Sequence, residues 1–224
     1  TYVVSALSAA GEGERSAALA VSTSPAAPPG LASAGSQTGG IDLVWSAPAV
    51  STGSAVTGYI VYRNDGAGGT LLSTVACNST GSTALACSVG GLSGGQEYVF
   101  AVSALSLAGE GAQSSTVAVS TAPAAVGGVS SDGQTTSSIT LMWDRLTASG
   151  GSATTGYIVY RSDGAGGTDH PIVAYDGTGS TATTATVSGL EGGRSYSFVV
   201  RGVSSTADGD ASQAFTQSTS PGAP

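Results

Sequence analysis

The chain has 224 residues, 40% of them hydrophobic but only 9% charged, with a formal net charge of −8. All six basic residues are arginines, and the acidic balance excludes recognition of nucleic acid or an anionic membrane, both of which need basic clusters. No apolar run reaches the roughly 18–20 residues that cross a bilayer, so no direct membrane insertion is expected.

The opening segment SALSAAGEG, Ser5 to Gly13, returns as SALSLAGEG at Ser103 to Gly111, a spacing of 98 residues. Fixed-period self-similarity sets the architecture before any local assignment. Residues 1–28 read as the last two strands of one unit and its linker, 29–126 as a complete unit and 127–224 as another. Two strands alone are unstable in water. Residues 1–28 therefore imply either an excerpt of a longer array or strands that complete a sheet in a neighbouring molecule. A unit of this size suffices for one independent core.

Within 29–126, a first strand is expected near Leu31 to Gly35. Ile41, Leu43 and Trp45 alternate with Asp42, Val44 and Ser46, as in a strand with one buried face. After a Pro/Gly/Ser connection from Ala47 to Ser54, the β-branched and aromatic stretch Val56 to Arg63 predicts the next strand. Asp65-Gly66 follows as a hairpin-turn signal. Further strands are expected at about Leu71 to Ala76 and Thr83 to Val89, then one whose inward face is Tyr98, Phe100, Val102 and Ala104. Gly109-Glu110-Gly111 is expected to turn the chain into a last strand, Ser115 to Thr121. The third unit repeats this, with TGYIVYR at 57–63 and 155–161 and DGAGGT at 65–70 and 163–168 unchanged. Seven short strands per hundred residues predict an all-β fold of tandem β-sandwiches.

Cys77 and Cys87 occur in the middle unit only, and their counterparts are Tyr175 and Ala185. A large residue opposite a small one implies side chains that touch, which a disulfide also requires. The alternative is two buried free thiols. Their spacing and a lone histidine argue against a metal site. Asn78-Ser79-Thr80 is an N-glycosylation sequon, and with a disulfide it points to a secretory route and an extracellular or cell-surface location.

These residues resemble the fibronectin type III family. The resemblance rests on Pro28-Pro29, Trp45, Gly58-Tyr59-x-Val61 and Leu92-x-x-Gly95-x-x-Tyr98. The third unit answers with Trp143, Gly156-Tyr157-x-Val159 and Leu190-x-x-Gly193-x-x-Tyr196. The resemblance implies two-sheet Greek-key sandwiches, here of seven strands, and the proline linkers predict that they lie end to end. It makes Tyr98 and Tyr196 corner tyrosines whose hydroxyls bond nearby backbone, and Trp45 and Trp143 core anchors. Gly127-Gly128 stand in place of the proline pair, which predicts a looser second junction. The linkers Ser24 to Pro29, Ala122 to Ala125 and Ser220 to Pro224 read as short, semi-rigid spacers.

Other candidates reduce to structural roles. Tyr62 and Tyr160 lie opposite the valines that precede them, either covering a sheet edge or offering a repeated lateral contact. Asp169-His170 lacks an accompanying nucleophile motif. Asp208-Gly209-Asp210 has no arginine for integrin-type recognition, and two carboxylates are too few for calcium, which takes six or more oxygens. DGAGGT lacks the ending and helix of a phosphate loop. No enzyme and no cofactor are therefore expected. The leading expectation is a structural module of a long stalk, fibre or sheath, contacting copies of itself or other coat proteins and carrying covalent glycans. The alternatives are adhesion modules of a receptor and spacers in a secreted carbohydrate-active enzyme.

Overall fold

The computed structural model describes residues 1–49, 53–147 and 150–222. Val50, Ser51 and Thr52 of the expected Ala47–Ser54 connection lie outside the described residues, as do Ala223 and Pro224 of the terminal linker. All regular structure among the described residues is β.

The first segment forms a hairpin of β1 (Ser5–Ser8) and β2 (Gly11–Arg15), extended by mutual backbone bonds between Tyr2 and Leu19 of 2.8 Å each. Tyr2, Val4 and Leu7 are exposed, whereas the equivalent Phe100, Val102 and Leu105 lie in a complete sheet of the next unit.

The middle unit contains β3 (Ala32–Gln37), β4 (Gly40–Val44), β5 (Val56–Arg63), β6 (Thr74–Asn78), β7 (Ala86–Gly90), β8 (Glu97–Ser106), β9 (Gly109–Gln113) and β10 (Val117–Ser120). One sheet runs β3-β4-β7, and the other runs β10-β8-β5-β6 with β9 also on β8. The third unit contains β11 (Ser130–Gln134), β12 (Ser138–Met142), β13 (Thr154–Arg161), β14 (Ile172–Asp176), β15 (Thr184–Ser188), β16 (Ser195–Ser204) and β17 (Phe215–Ser218). Its sheets run β11-β12-β15 and β14-β13-β16-β17. All pairings are antiparallel. These are tandem sandwiches.

Alternation builds each core. Ile41, Leu43, Tyr59, Val61, Tyr98, Phe100, Val102 and Ala104 enclose one, and Ile139, Leu141, Tyr157, Val159, Tyr196, Phe198 and Val200 the other. Each such large side chain, taken fully out of water, contributes about 1.5–3 kcal/mol. Trp45 and Trp143 close the cores against Tyr59 and Tyr157, with centroids 5.5 Å apart in both units and ring planes inclined by 62° and 59°. Both indole N–H groups are buried without an acceptor.

Three expectations need correction. Leu71 does not start a strand; it is exposed, and β6 begins at Thr74, because Gly68 and Gly69 carry the turn further than two residues. Gly109-Glu110-Gly111 is not the turn. Leu107-Ala108 turns the chain, and Gly109 opens β9 at φ +110°. The expected last strand, Ser115 to Thr121, is shortened to β10, and the residues before it form β9, with Ser114 bonding Val102 through backbone and side chain between the two.

The second junction keeps the backbone bond of the first despite its glycines. Asp144 N donates to Gly127 O at 3.0 Å as Ser46 N donates to Pro29 O at 2.9 Å. The true counterparts of Pro28-Pro29 are thus Val126-Gly127. Val126 is buried in the third unit's core, so the chain is anchored there without proline.

Candidate functional site: repeated turns, the stapled edge and the third-unit cleft

The unchanged RxDGAGGT segments are fixed by the fold. Tyr98 Oη accepts from Ser93 N and Tyr196 Oη from Glu191 N, both at 3.0 Å. Each ring lies against the glycine of the preceding hairpin. Gly66 (φ +83°) and Gly164 (φ +84°) occupy backbone regions costly for other residues, and a Cβ on either would stand 2.5 Å from the ring. The guanidinium of Arg63 or Arg161 lies 5.4 Å from the same ring centroid, a cation–π geometry. Buried Asn64 ties the turn together by accepting from Val99 N at 3.0 Å and donating to Gly69 O at 2.6 Å. Ser162 accepts from Ser197 N in the third unit. These identical segments therefore serve the interior of each unit.

Cys77 and Cys87 are bonded, with Cα atoms 6.6 Å apart. They lie on β6 and β7, the edge strands of opposite sheets, so the bond staples the sandwich at one side. In the third unit Tyr175 packs against the core that includes Ala185. Asn78 is exposed, and its Oδ1 accepts from Thr80 N at 3.0 Å and from Thr80 Oγ1 at 2.5 Å. Asp176 makes the same turn with Thr178 N at 3.0 Å. The backbone hydrogen bond from Thr178 holds the Asp176 carboxyl below its ordinary value. Asn78 thus has a turn role independent of any sugar.

Tyr62 donates to Glu110 Oε1 at 2.8 Å, and Ser103 Oγ donates to the same oxygen at 2.5 Å. Burial, reinforced by the Glu110 hydrogen bond and charge, pushes the Tyr62 hydroxyl above its ordinary value. The repeated tyrosine is therefore engaged within its own unit there. In the third unit Leu72, Ser103 and Glu110 are replaced by His170, Arg201 and Asp208. Together with Tyr160 these line a shallow cleft of about 320 Å³. His170 Nε2 bonds Ser197 Oγ at 2.9 Å and Arg201 donates to Gly209 O at 3.2 Å. Asp169 is exposed. Among the described residues no three His, Cys, Asp or Glu side chains cluster to hold a metal ion.

Sequence reasoning missed Thr121 and Thr219. Thr121 Oγ1 donates to Ser93 O at 2.7 Å and accepts from Gln96 N at 3.0 Å. Thr219 Oγ1 repeats this with Glu191 O at 2.6 Å and Arg194 N at 3.1 Å. Each fastens the departing linker to its own sandwich. The signal was present as a threonine recurring at the repeat period.

A fibronectin type III domain model matches residues 26–120 and again 123–218. Chitinase A1 of Niallia circulans is 35% identical over 189 residues, covering 80% of this chain and 23% of its own length. Exoglucanase B of Cellulomonas fimi is 31% identical over 203 residues, covering 82% of this chain and 18% of its own length. The chain thus spans about a fifth of these relatives. Among solved structures, a two-domain fibronectin type III segment of chicken tenascin aligns over 86% of this chain and 99% of its own, at 18% identity and TM-score 0.43. The chicken CNTN1 FN1-FN3 domains align over 96% of this chain and 76% of theirs, at 18% identity and TM-score 0.46.

Proposed function

We propose, for a chain that belongs to the fibronectin type III family, that its two complete sandwiches are spacer modules of a secreted polysaccharide-active enzyme. One observation carries this reading. The sequence similarity to chitinase A1 and exoglucanase B spans four fifths of this chain but only a fifth of those proteins. Such modules hold a catalytic domain at a distance from a second domain and take no part in bond cleavage. The disulfide is in keeping with an extracellular site of action.

A stalk or fibre remains the second reading, favoured by the constant period. The identical segments give it less support than their repetition suggests, since they pack beneath Tyr98 and Tyr196. The test is the intact parent protein with and without residues 29–224, assayed on soluble oligosaccharides and on insoluble chitin or glucan. A spacer predicts unchanged turnover of soluble substrate and a severalfold loss on the insoluble one. A parent that hydrolyses neither overturns the proposal.

A further inference from the structure

The second joint leaves almost no free chain. Ala122 N donates to Gln37 O at 3.1 Å and Gly95 N to Ala122 O at 2.8 Å, so the linker is zipped to the middle sandwich. Thr38, in the turn after β3, donates from Oγ1 to Pro123 O at 3.1 Å. Val126 already belongs to the core of the third sandwich. Only Ala124 and Ala125 lie between, and Ala124 is pressed against Gly94, where a Cβ would come within 2.9 Å of its backbone.

Contacts then cross the joint. Asp210 N, in the loop before β17, donates to the same Thr38 Oγ1 at 3.0 Å. One hydroxyl thus joins the middle sandwich, the linker and the third sandwich. On the other side of the joint, Gly151 N donates to Gly95 O at 3.2 Å, and Gly150 bridges to Gln96. The loop glycine packs beneath the linker proline, since a Cβ on Gly209 would stand 2.5 Å from Pro123 O. Gly209 needs no positive φ, so close approach accounts for the glycine. The preceding joint has the same packing: Pro25 is buried and a Cβ on Gly111 would overlap Pro25 O.

We infer that this joint is a fixed-angle clasp, pinned by Thr38, that makes the two complete sandwiches one rigid body. The Asp208-Gly209-Asp210 loop is then a joint element whose glycine and backbone N–H read the preceding module. This inference holds whatever the arm connects. A semi-rigid proline linker would limit bending but leave rotation free; contacts on both sides of the linker remove that rotation too.

The test is NMR of the full chain in a weakly aligning medium, with relaxation measured on both sandwiches. The native chain should give one alignment tensor and one anisotropic tumbling time for both. Thr38→Val keeps the shape but removes both hydroxyl bonds. It should split the tensors and lower each tumbling time toward that of a single sandwich. Gly209→Ala should do the same by forcing Pro123 away. Thr136→Val, the equivalent change in the third sandwich, should leave the common tensor intact. Amide shifts away from the joint report whether each variant is folded. Independent tensors in the native chain would overturn the clasp. A common tensor in folded Thr38→Val would overturn Thr38 as its pin.

Discussion

Breaking the Cys77–Cys87 bond offers a quantitative check on the stapled edge. The bond closes a loop with a sequence separation of 10, for which chain entropy alone gives about 2–3 kcal/mol. For a domain of this size that corresponds to a fall of roughly 10–20 °C in unfolding midpoint. The assay is thermal unfolding of the full chain carrying Cys77→Ala and Cys87→Ala, followed by Trp45 fluorescence in a Trp143→Phe background. A companion variant grafts the third sandwich's solution, Cys77→Tyr with Cys87→Ala. It needs Ser79→Gly as well, because a Cβ on the equivalent Gly177 would stand 2.5 Å from the Tyr175 ring. The graft should recover part of the loss by burying the ring against the core, as Tyr175 does. An alanine pair that melts within a few degrees of the parent would refute the loop-entropy reasoning. A graft no better than the alanine pair would refute the equivalence of the two solutions.

Gly66→Ala or Gly164→Ala combines a left-handed backbone with overlap on a corner tyrosine, and each should cost its sandwich about 2–4 kcal/mol in denaturant unfolding. Asp176 is depressed by its bond from Thr178, so its stabilising contribution is present above the unfolded-state value and disappears as pH falls through the folded one. An NMR titration should place its midpoint below 3.8, and a midpoint at or above that value would contradict the turn geometry. Tyr62 is raised by burial and by Glu110, so its contribution persists below its unfolded value and is lost as pH rises through the folded one. Glu110→Gln should return its titration part of the way toward 10.0, leaving the shift due to burial.

Much of the fold was legible because it depends on short-range pattern. The strand Val56–Arg63 was expected with the limits it has, since β-branched and aromatic residues are bounded by clear turn signals. Trp45 and Tyr98 were legible because alternation points them inward and the period repeats them. Leu71 misled because an apolar pair after a glycine-rich turn resembles a strand start, although the connection runs on to Ser73 and pairing begins only with Thr74 opposite Arg63. Gly127-Gly128 misled because the counterparts of the proline pair are Val126-Gly127, and the burial of Val126 in the core is not marked by local composition. The clasp was illegible for a similar reason. Thr38 and Asp210 are 172 residues apart, and nothing local marks a turn threonine as a joint. Gly209 reads as an ordinary loop glycine until Pro123 is seen above it.

We propose that these sandwiches are a spacer arm and not a polymer. Electron microscopy of the intact parent protein tests it most directly. A spacer arm should appear as discrete particles, each with a globular head carried on a short, straight arm of constant length. Continuous filaments or sheets with a regular axial repeat and no head would contradict it.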